Sequence, residues 1–188
     1  MLANLMLARG HIGRPGAGLA PIRGHSNVQG DRTMGINERP SPKLLDSLDR
    51  VFGIKSPREH GFGVVDTIKA MYEGGVKVFI GLGGNFAVAT PDTPYTQEGL
   101  RRCNLTVQIA TKLNRSHLVC GKEALLLPCL GRTEIDMQQH GPQAVSVEDS
   151  MSNVHLSAGR NEPASKNLLS EPDIVARMAA AVLPDSDI

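Results

Sequence analysis

Hydrophobic residues recur at helical spacing in five stretches of the chain and form short continuous runs in four others. One helix has clear end signals: Ser41 can be its N-cap, Pro42 suits its first turn, and Gly53 follows its last residue. Ser170 can cap the last helix. Apolar runs of strand length end at glycines or polar turns. The pattern predicts helices over 2–9, 42–52, 63–73, 94–102 and 171–183, and strands over 76–85, 105–111, 124–128 and 144–149.

Short apolar strands that alternate with amphipathic helices are typical of a parallel sheet covered by helices on both faces. The run at 124–128 looks like a buried strand of such a sheet. The chain holds no internal repeat and no linker long enough to divide it. We therefore expect one α/β domain over residues 1–188, a three-layer αβα arrangement with a mostly parallel, Rossmann-like sheet.

The stretch from Gly13 to about Pro42 has no hydrophobic period and is rich in glycine, proline and polar residues. A loop of about 30 residues is uncommon in a compact domain, and such loops are usually disordered or functional. Its polar side chains are hydrogen-bonding types rather than a run of one charge, and this favours function.

Composition excludes several classes of protein. Only six of the 188 residues are aromatic, so stacking platforms for single-stranded nucleic acid are not expected. The net charge is +1, and residues 131–188 carry four Lys or Arg against nine Asp or Glu. The rest of the chain is mildly basic, which suits a phosphate-bearing ligand but is too weak for a nucleic-acid polyanion.

The three cysteines, Cys103, Cys120 and Cys129, form no C-x-x-C pair, so neither a disulfide framework nor a metal clip is expected from them alone. We expect them to be buried small hydrophobes in a cytoplasmic protein. The chain has no apolar run of 18 residues, so no membrane span is expected.

Three predicted strand ends carry groups that could bind a ligand, because open α/β sheets bind ligands beyond the carboxyl ends of their strands. The first is the glycine turn at 81–85, which could admit a phosphate or be only a tight turn. The second is the donor-rich segment 111–116, and the third is the acidic segment 148–150; either could also be a solvated surface turn. Nucleophile-elbow, zinc-protease and phosphate-loop motifs are absent, so the residues alone indicate only an α/β domain that binds a phosphate-bearing ligand.

Six motifs, in this order, resemble a segment of the molybdopterin oxidoreductases of the dimethyl sulfoxide reductase superfamily, in the formate-dehydrogenase-like branch. The resemblance runs nearly end to end. The motifs are GRPGAGLAPIRGHSNVQGDRTMG (13–35), GLGGNFAVATPDT (81–93), TKLNRSHLV (111–119), LLLPCLGRTEID (125–136), VSVEDSMSNVH (145–155) and SEPDIVARMA (170–179).

The resemblance implies catalytic roles for two residues and cofactor contacts for ten. Arg23 matches an arginine that orients the substrate carboxylate near the metal, and His25 stands where those enzymes have glutamine, which weakens the expectation of formate as the substrate. Phe86 replaces a usual proline. The implied cofactor-binding residues are Asn27, Gln29, Gly30, Gly83, Gly84, Asn85, Thr111, Lys112, Asn114 and Asp149.

Members of this family bind molybdenum or tungsten through two pterin guanine dinucleotides, usually with a [4Fe–4S] cluster near the N-terminus. The resemblance therefore implies that this chain is an internal fragment, with the cluster upstream and with no metal ligand of its own. The implied partners are a small anionic substrate, the rest of the same chain and an electron-transfer partner. The alternative is a stand-alone binding or scaffold domain for a phosphate-bearing ligand, without catalytic activity.

Overall fold

A computed structural model of the chain describes residues 1–20 and 24–182. Its elements follow the order expected of an α/β protein, and one turn of 3₁₀ helix (Arg115–Leu118) separates the second and third strands. The helices are α1 (Leu2–Ala8), α2 (Val28–Thr33), α3 (Pro42–Phe52), α4 (Val64–Tyr72), α5 (Phe86–Ala89), α6 (Thr93–Arg102) and α7 (Glu171–Val182). The strands are β1 (Val78–Leu82), β2 (Leu105–Ala110), β3 (Glu123–Pro128), β4 (Asp136–Gln138), β5 (Gly141–Gln143), β6 (Val145–Glu148) and β7 (Val154–Ser157).

Local sequence signals set the ends of α3 as predicted. The Ser41 hydroxyl accepts a hydrogen bond from the Leu44 N–H at 3.3 Å, and Pro42 occupies the first turn, where no intrahelical donor is needed. Gly53 ends the helix with a φ of 63°, a left-handed conformation that glycine adopts without steric cost. The predicted N-cap and C-terminal glycine are confirmed.

The principal sheet contains three parallel strands in the order β1-β2-β3. Val78 pairs with Leu105, and Leu105 pairs with Glu123, so the three strands begin at the same level. Each strand is connected to the next by helical turns, as parallel pairing requires. The predicted α/β class with a parallel sheet is confirmed.

Two hydrophobic clusters lie on opposite faces of this sheet. Side chains of α4, α5 and α6 form the first cluster, in which Met71 and Leu100 are completely buried. Val107 and Ile109 of β2 form the second cluster with Ile174 of α7. Since successive side chains of a strand point to opposite faces, helices pack on both sides of β2.

The strand predicted at 124–128 forms as β3, but the expectation that it is buried is wrong. Every residue of β3 is exposed, including the three successive leucines Leu125, Leu126 and Leu127. β3 stands at one edge of the sheet, and within the described residues the covering helices lie over β1 and β2 instead. An apolar run predicts that a strand forms, but it does not show whether another layer of the protein covers that strand.

Four other parts of the chain differ from the sequence prediction. The long loop contains the short helix α2, and the four-residue helix α5 follows the glycine turn; both are too short to show a period. The strand predicted at 144–149 forms as β6, but it pairs antiparallel with β7 outside the principal sheet. β4 and β5 form a second antiparallel pair.

All three cysteines are free thiols, and Cys103 and Cys129 are buried, as expected of small hydrophobic residues. Burial raises the pKa of both thiols, because it disfavours the charged thiolate. None of the helices in the described ranges combines the length and the apolar character needed to cross a bilayer.

Truncation of a completely buried side chain should destabilise the chain far more than truncation of an exposed one. Leu100 is 0% exposed and Leu113 is 78% exposed. We expect Leu100→Ala to lower the free energy of unfolding by about 2–5 kcal/mol, and Leu113→Ala to change it by less than about 0.5 kcal/mol. Urea titration of both variants measures the difference, and equal losses would contradict the assignment of the core.

Candidate functional site

The carboxyl end of β1 is a turn with two left-handed glycines. Gly83 and Gly84 have φ angles of 66° and 67°, a region that strains residues with a side chain. The Gly83 N–H donates to the Ile109 carbonyl at 2.7 Å, which fixes the turn against β2. A Cβ on Gly84 would meet nothing within 4 Å. The turn therefore leaves backbone open to a ligand.

Two predicted strand-end sites are joined by hydrogen bonds. The Asn114 side-chain amide donates to the Gly84 carbonyl at 2.7 Å. The Ser116 hydroxyl donates to the Asn85 side-chain oxygen at 3.1 Å and accepts the Ala87 N–H at 3.0 Å. Asn85 and Asn114 thus hold the two turns together, and in this arrangement they position the glycine backbone.

Thr111 and Lys112 lie on another side of the second strand end. Both are exposed, and both line a smaller cavity of about 230 Å³ together with Gln108 and His117. The Gln108 side-chain nitrogen is buried and has no hydrogen-bond partner among the described residues. Sequence reasoning missed Gln108, although a polar residue in the middle of the apolar strand LTVQIA is the signal that could have identified it.

The predicted residues Asn27, Gln29 and Gly30 lie together against strand β6. The Asn27 side chain accepts the Glu148 N–H at 2.9 Å and donates to the Ser146 carbonyl at 3.4 Å. The Gln29 amide donates to the Glu148 carbonyl. A Cβ on Gly30 would clash with the Asn27 side-chain oxygen, which the Glu148 hydrogen bond holds in place, so this close approach favours glycine. These contacts attach the N-terminal loop to a strand about 120 residues later.

A cavity of about 590 Å³ lies between this loop, the end of β1 and helix α7. Leu82 and Val175 contribute apolar wall, while Asp31 and Glu171 contribute carboxylates. A Cβ on Gly83 would come within 3.5 Å of a Glu171 oxygen, which places the glycine turn beside the cavity. Asp31 belongs to the polar loop whose composition favours function, but the sequence assigned no cofactor contact to it or to Glu171.

Another carboxylate of the cavity wall has a structural role. Glu134 accepts backbone N–H groups from Gly131 at 2.6 Å and Ala164 at 3.0 Å. These hydrogen bonds favour the ionised form and lower the pKa of the Glu134 carboxyl. The carboxylate therefore fixes the segment that follows β3.

Asp149 lies in the turn between β6 and β7, where its carboxylate organises the hairpin. It accepts the backbone N–H groups of Met151 at 2.8 Å and Asn153 at 3.0 Å, and it contacts the His155 ring at 2.7 Å. The His155 hydrogen bond, followed by the two backbone bonds, lowers the Asp149 pKa from 3.8 to about 2. The geometry gives Asp149 a local structural role, and its predicted cofactor contact stays a prediction.

In the sequence, the two predicted catalytic residues belong to the long polar segment that also contains Asn27. Arg23 lies outside the described residues. His25 is exposed, two residues before Asn27, which lines the larger cavity. In the part of the chain that the structure describes, no three His, Cys, Asp or Glu side chains are grouped so that they could hold a metal ion.

Comparison with known proteins identifies longer relatives, some of which are named as oxidoreductases. The chain is 59% identical over 181 residues to the uncharacterized oxidoreductase Rv2900c of Mycobacterium tuberculosis, a match that covers 96% of the chain and 23% of the relative. It is 49% identical over 185 residues to protein YdeP of Escherichia coli K12, covering 98% of the chain and 24% of YdeP. A more distant match, 29% identical over 105 residues, is to the putative formate dehydrogenase YrhE of Bacillus subtilis and covers 52% of the chain and 11% of that protein.

No family model matches the chain. The chain spans about a quarter of the length of the first two relatives, so it is similar to a segment of longer proteins, one of which is named as an oxidoreductase. The expected similarity to oxidoreductases is confirmed, and one relative of lower identity is named as a putative formate dehydrogenase.

The depressed pKa of Asp149 predicts a pH dependence of the β6–β7 hairpin. Since the carboxyl pKa falls from 3.8 to about 2 on folding, ionised Asp149 stabilises the hairpin above pH 3.8, and this stabilisation is lost as the pH falls to about 2. We expect the ¹³C shift of the Asp149 carboxyl to titrate with a midpoint near the lower value. His155→Ala removes the largest cause of the shift and should raise the midpoint, whereas an unshifted wild-type midpoint would contradict the described turn.

Proposed function

We propose that this chain is part of a molybdenum-dependent, formate-dehydrogenase-like oxidoreductase, where it holds part of a molybdopterin guanine dinucleotide and forms one wall of the active site. The main support is a cavity at the carboxyl end of the parallel sheet. The chain that contains this cavity is similar to proteins named as oxidoreductases. Ligands of open α/β sheets bind at this end of the strands. Tungsten in place of molybdenum would use the same protein groups.

The residues at the cavity fit such a dinucleotide. Its volume of about 590 Å³ lies within the roughly 300–1,000 Å³ that is usual for cofactor sites. Asp31 and Glu171 can accept hydrogen bonds from the N–H groups of a guanine, and Arg132 supplies a cation for a phosphate. The open backbone at Gly84 allows a ligand to approach without meeting a side chain.

The N-terminal loop connects this dinucleotide site to the proposed substrate site. Asn27 both lines the cavity and anchors the loop on β6. The loop would present Arg23 and His25 to a small anionic substrate: the planar guanidinium forms paired hydrogen bonds with a carboxylate, and His25 adjusts hydrogen bonding beside it. The cofactor would supply the electron transfer, and these residues would supply position and electrostatics.

The proposed active site includes other parts of the longer polypeptide. We also propose that the longer polypeptide holds a [4Fe–4S] cluster upstream of this segment and that it exchanges electrons with a separate partner. A stand-alone binding domain for a phosphate-bearing ligand is the alternative, and the match to longer oxidoreductases favours the redox enzyme.

Cofactor content distinguishes the two functions. We expect the full-length protein to contain molybdenum or tungsten, iron, and guanine nucleotide released by acid hydrolysis, each in a fixed ratio to protein. We expect the isolated 188-residue chain to contain none of these and to bind guanine nucleotides at millimolar concentration or not at all in calorimetry. Stoichiometric metal in the isolated chain, or full-length protein that lacks the pterin, would contradict the proposal.

Substitution of Arg23 in the full-length enzyme tests its proposed contact with substrate. Arg23→Lys keeps the charge but loses the planar fork, so we expect strongly reduced turnover with unchanged cofactor content. Arg23→Ala should lower kcat/KM by about 10–100-fold or more, or about 1.4–3 kcal/mol of transition-state stabilisation. His25→Gln is the companion variant and should change substrate preference.

Parallel loss of cofactor and activity in Arg23→Lys would instead assign Arg23 to the pterin or to the loop itself. Full activity with full cofactor content would exclude any role for it in turnover.

A further inference from the structure

The principal sheet has two open edges with different chemistry. Its order β1-β2-β3 leaves one side of β1 and one side of β3 without a strand partner in the described ranges. Unpaired strand edges invite association, and proteins commonly protect them with charge, proline or a covering element. The backbone hydrogen bonds show which residues each edge presents.

In β1, the even-numbered residues face outward. The Leu105 N–H donates to the Lys77 carbonyl, and the Gly83 N–H donates to the Ile109 carbonyl. Backbone groups of successive residues in a strand point to opposite edges, so the odd-numbered residues of β1 pair with β2. The outer edge therefore presents the N–H and carbonyl groups of Val78, Ile80 and Leu82.

In β3, the same reasoning places a proline on the outer edge. The Glu123 N–H donates to the Asn104 carbonyl, and the Cys129 N–H donates to the Ala110 carbonyl. The odd-numbered residues thus face β2, and Pro128 faces outward together with the other even-numbered residues. Proline lacks an N–H and occurs in strands where that side needs no partner. β3 therefore has the chemistry of a true edge strand.

β1 has the chemistry of an interior strand. Its sequence, VFIGL, contains no charged residue and no proline, as is usual for parallel strands buried on both faces. Yet the side chains of Val78, Ile80 and Leu82 are 50%, 47% and 48% exposed. The outward backbone groups of these three residues have no strand partner in the described part of the chain, and their side chains stay about half exposed.

We infer that the outer edge of β1 pairs with a further strand from the same, longer polypeptide, and that this strand and its connection cover Val78 and Ile80. The matched relatives contain about three-quarters of their length beyond the region shared with this chain. A permanently folded neighbour suits an apolar edge with no protection of its own better than a transient partner does.

This pairing would place β1 inside the sheet, with strands on both sides. If the added strand follows β3 in the chain, the strand order reverses beside β1, and the Gly83–Gly84 turn lies at the position where open α/β sheets form their ligand crevices. The inference rests on the strand edge and on the length of the relatives. It does not depend on which cofactor binds. The strand pairing can therefore fail while the proposed function holds, and the proposed function can fail while the pairing holds.

Residue-level hydrogen–deuterium exchange of the full-length protein tests the pairing directly. The inward amides of Phe79 and Gly81 are internal controls, since they face β2. If the strand is present, the outward amides of Ile80 and Leu82 should exchange at least about 100-fold more slowly than in an unstructured peptide. The protection should not change on dilution. Fast exchange at Ile80 and Leu82, or protection that disappears on dilution and so indicates a second copy, would overturn the inference.

A pair of proline variants gives an independent test in the full-length protein. Ile80→Pro and Leu126→Pro each remove an outward N–H from the middle of an outer strand, at side chains that are 47% and 45% exposed. We expect Ile80→Pro to lose soluble, folded protein several-fold, because it breaks the proposed pairing, and Leu126→Pro to lose little. Equal effects of the two substitutions would contradict the pairing at β1.

Discussion

Strand β2 makes backbone hydrogen bonds on both edges and packs on both faces. Its register with β1 and β3 aligns the starts of all three strands, and so brings their carboxyl ends to one side of the domain. Val107 and Ile109 bury one face against α7, while Thr106 and Gln108 are buried on the other. The glycine turn after β1 is fixed directly to β2 by the Gly83 hydrogen bond to Ile109. The position of the candidate site therefore depends on the pairing of β2.

Polar side chains around the site mostly support its framework. Asn114 holds the glycine turn, Asn27 attaches the N-terminal loop to β6, and Asp149 organises the β6–β7 turn. The groups most available to a ligand are instead glycine backbone and the cavity carboxylates, of which Glu171 stands beside the turn. The open glycine backbone suits a phosphate group, whereas the carboxylates suit the hydrogen-bond donors of a base or a sugar.

Local sequence signals predicted the elements well where one interaction decides the conformation. Ser41 and Gly53 set the ends of α3 by a cap hydrogen bond and a left-handed φ, and both are visible in the residue type. The glycine turn after β1 was predicted for the same reason. Short helices such as α2 were missed, because six residues are too few to show a period.

Features that depend on distant residues could not be predicted from local pattern. The exposure of Leu125 and its neighbours in β3 depends on which layers reach the sheet edge, and an apolar run carries no such information. The docking of Asn27 and Gln29 on Glu148 joins residues about 120 positions apart, and neither side chain signals its partner. The oxidoreductase relationship came instead from the order of several motifs along the chain, and the relatives confirm it.

An experimental structure of the full-length protein with its native cofactor tests the central claim most directly. We predict density for a guanine dinucleotide in the cavity between Leu82 and Glu171, with a phosphate or sugar group against the Gly83–Gly84 backbone. Density for the dinucleotide that leaves this cavity to solvent or fills it with other protein segments would contradict the assignment of the site.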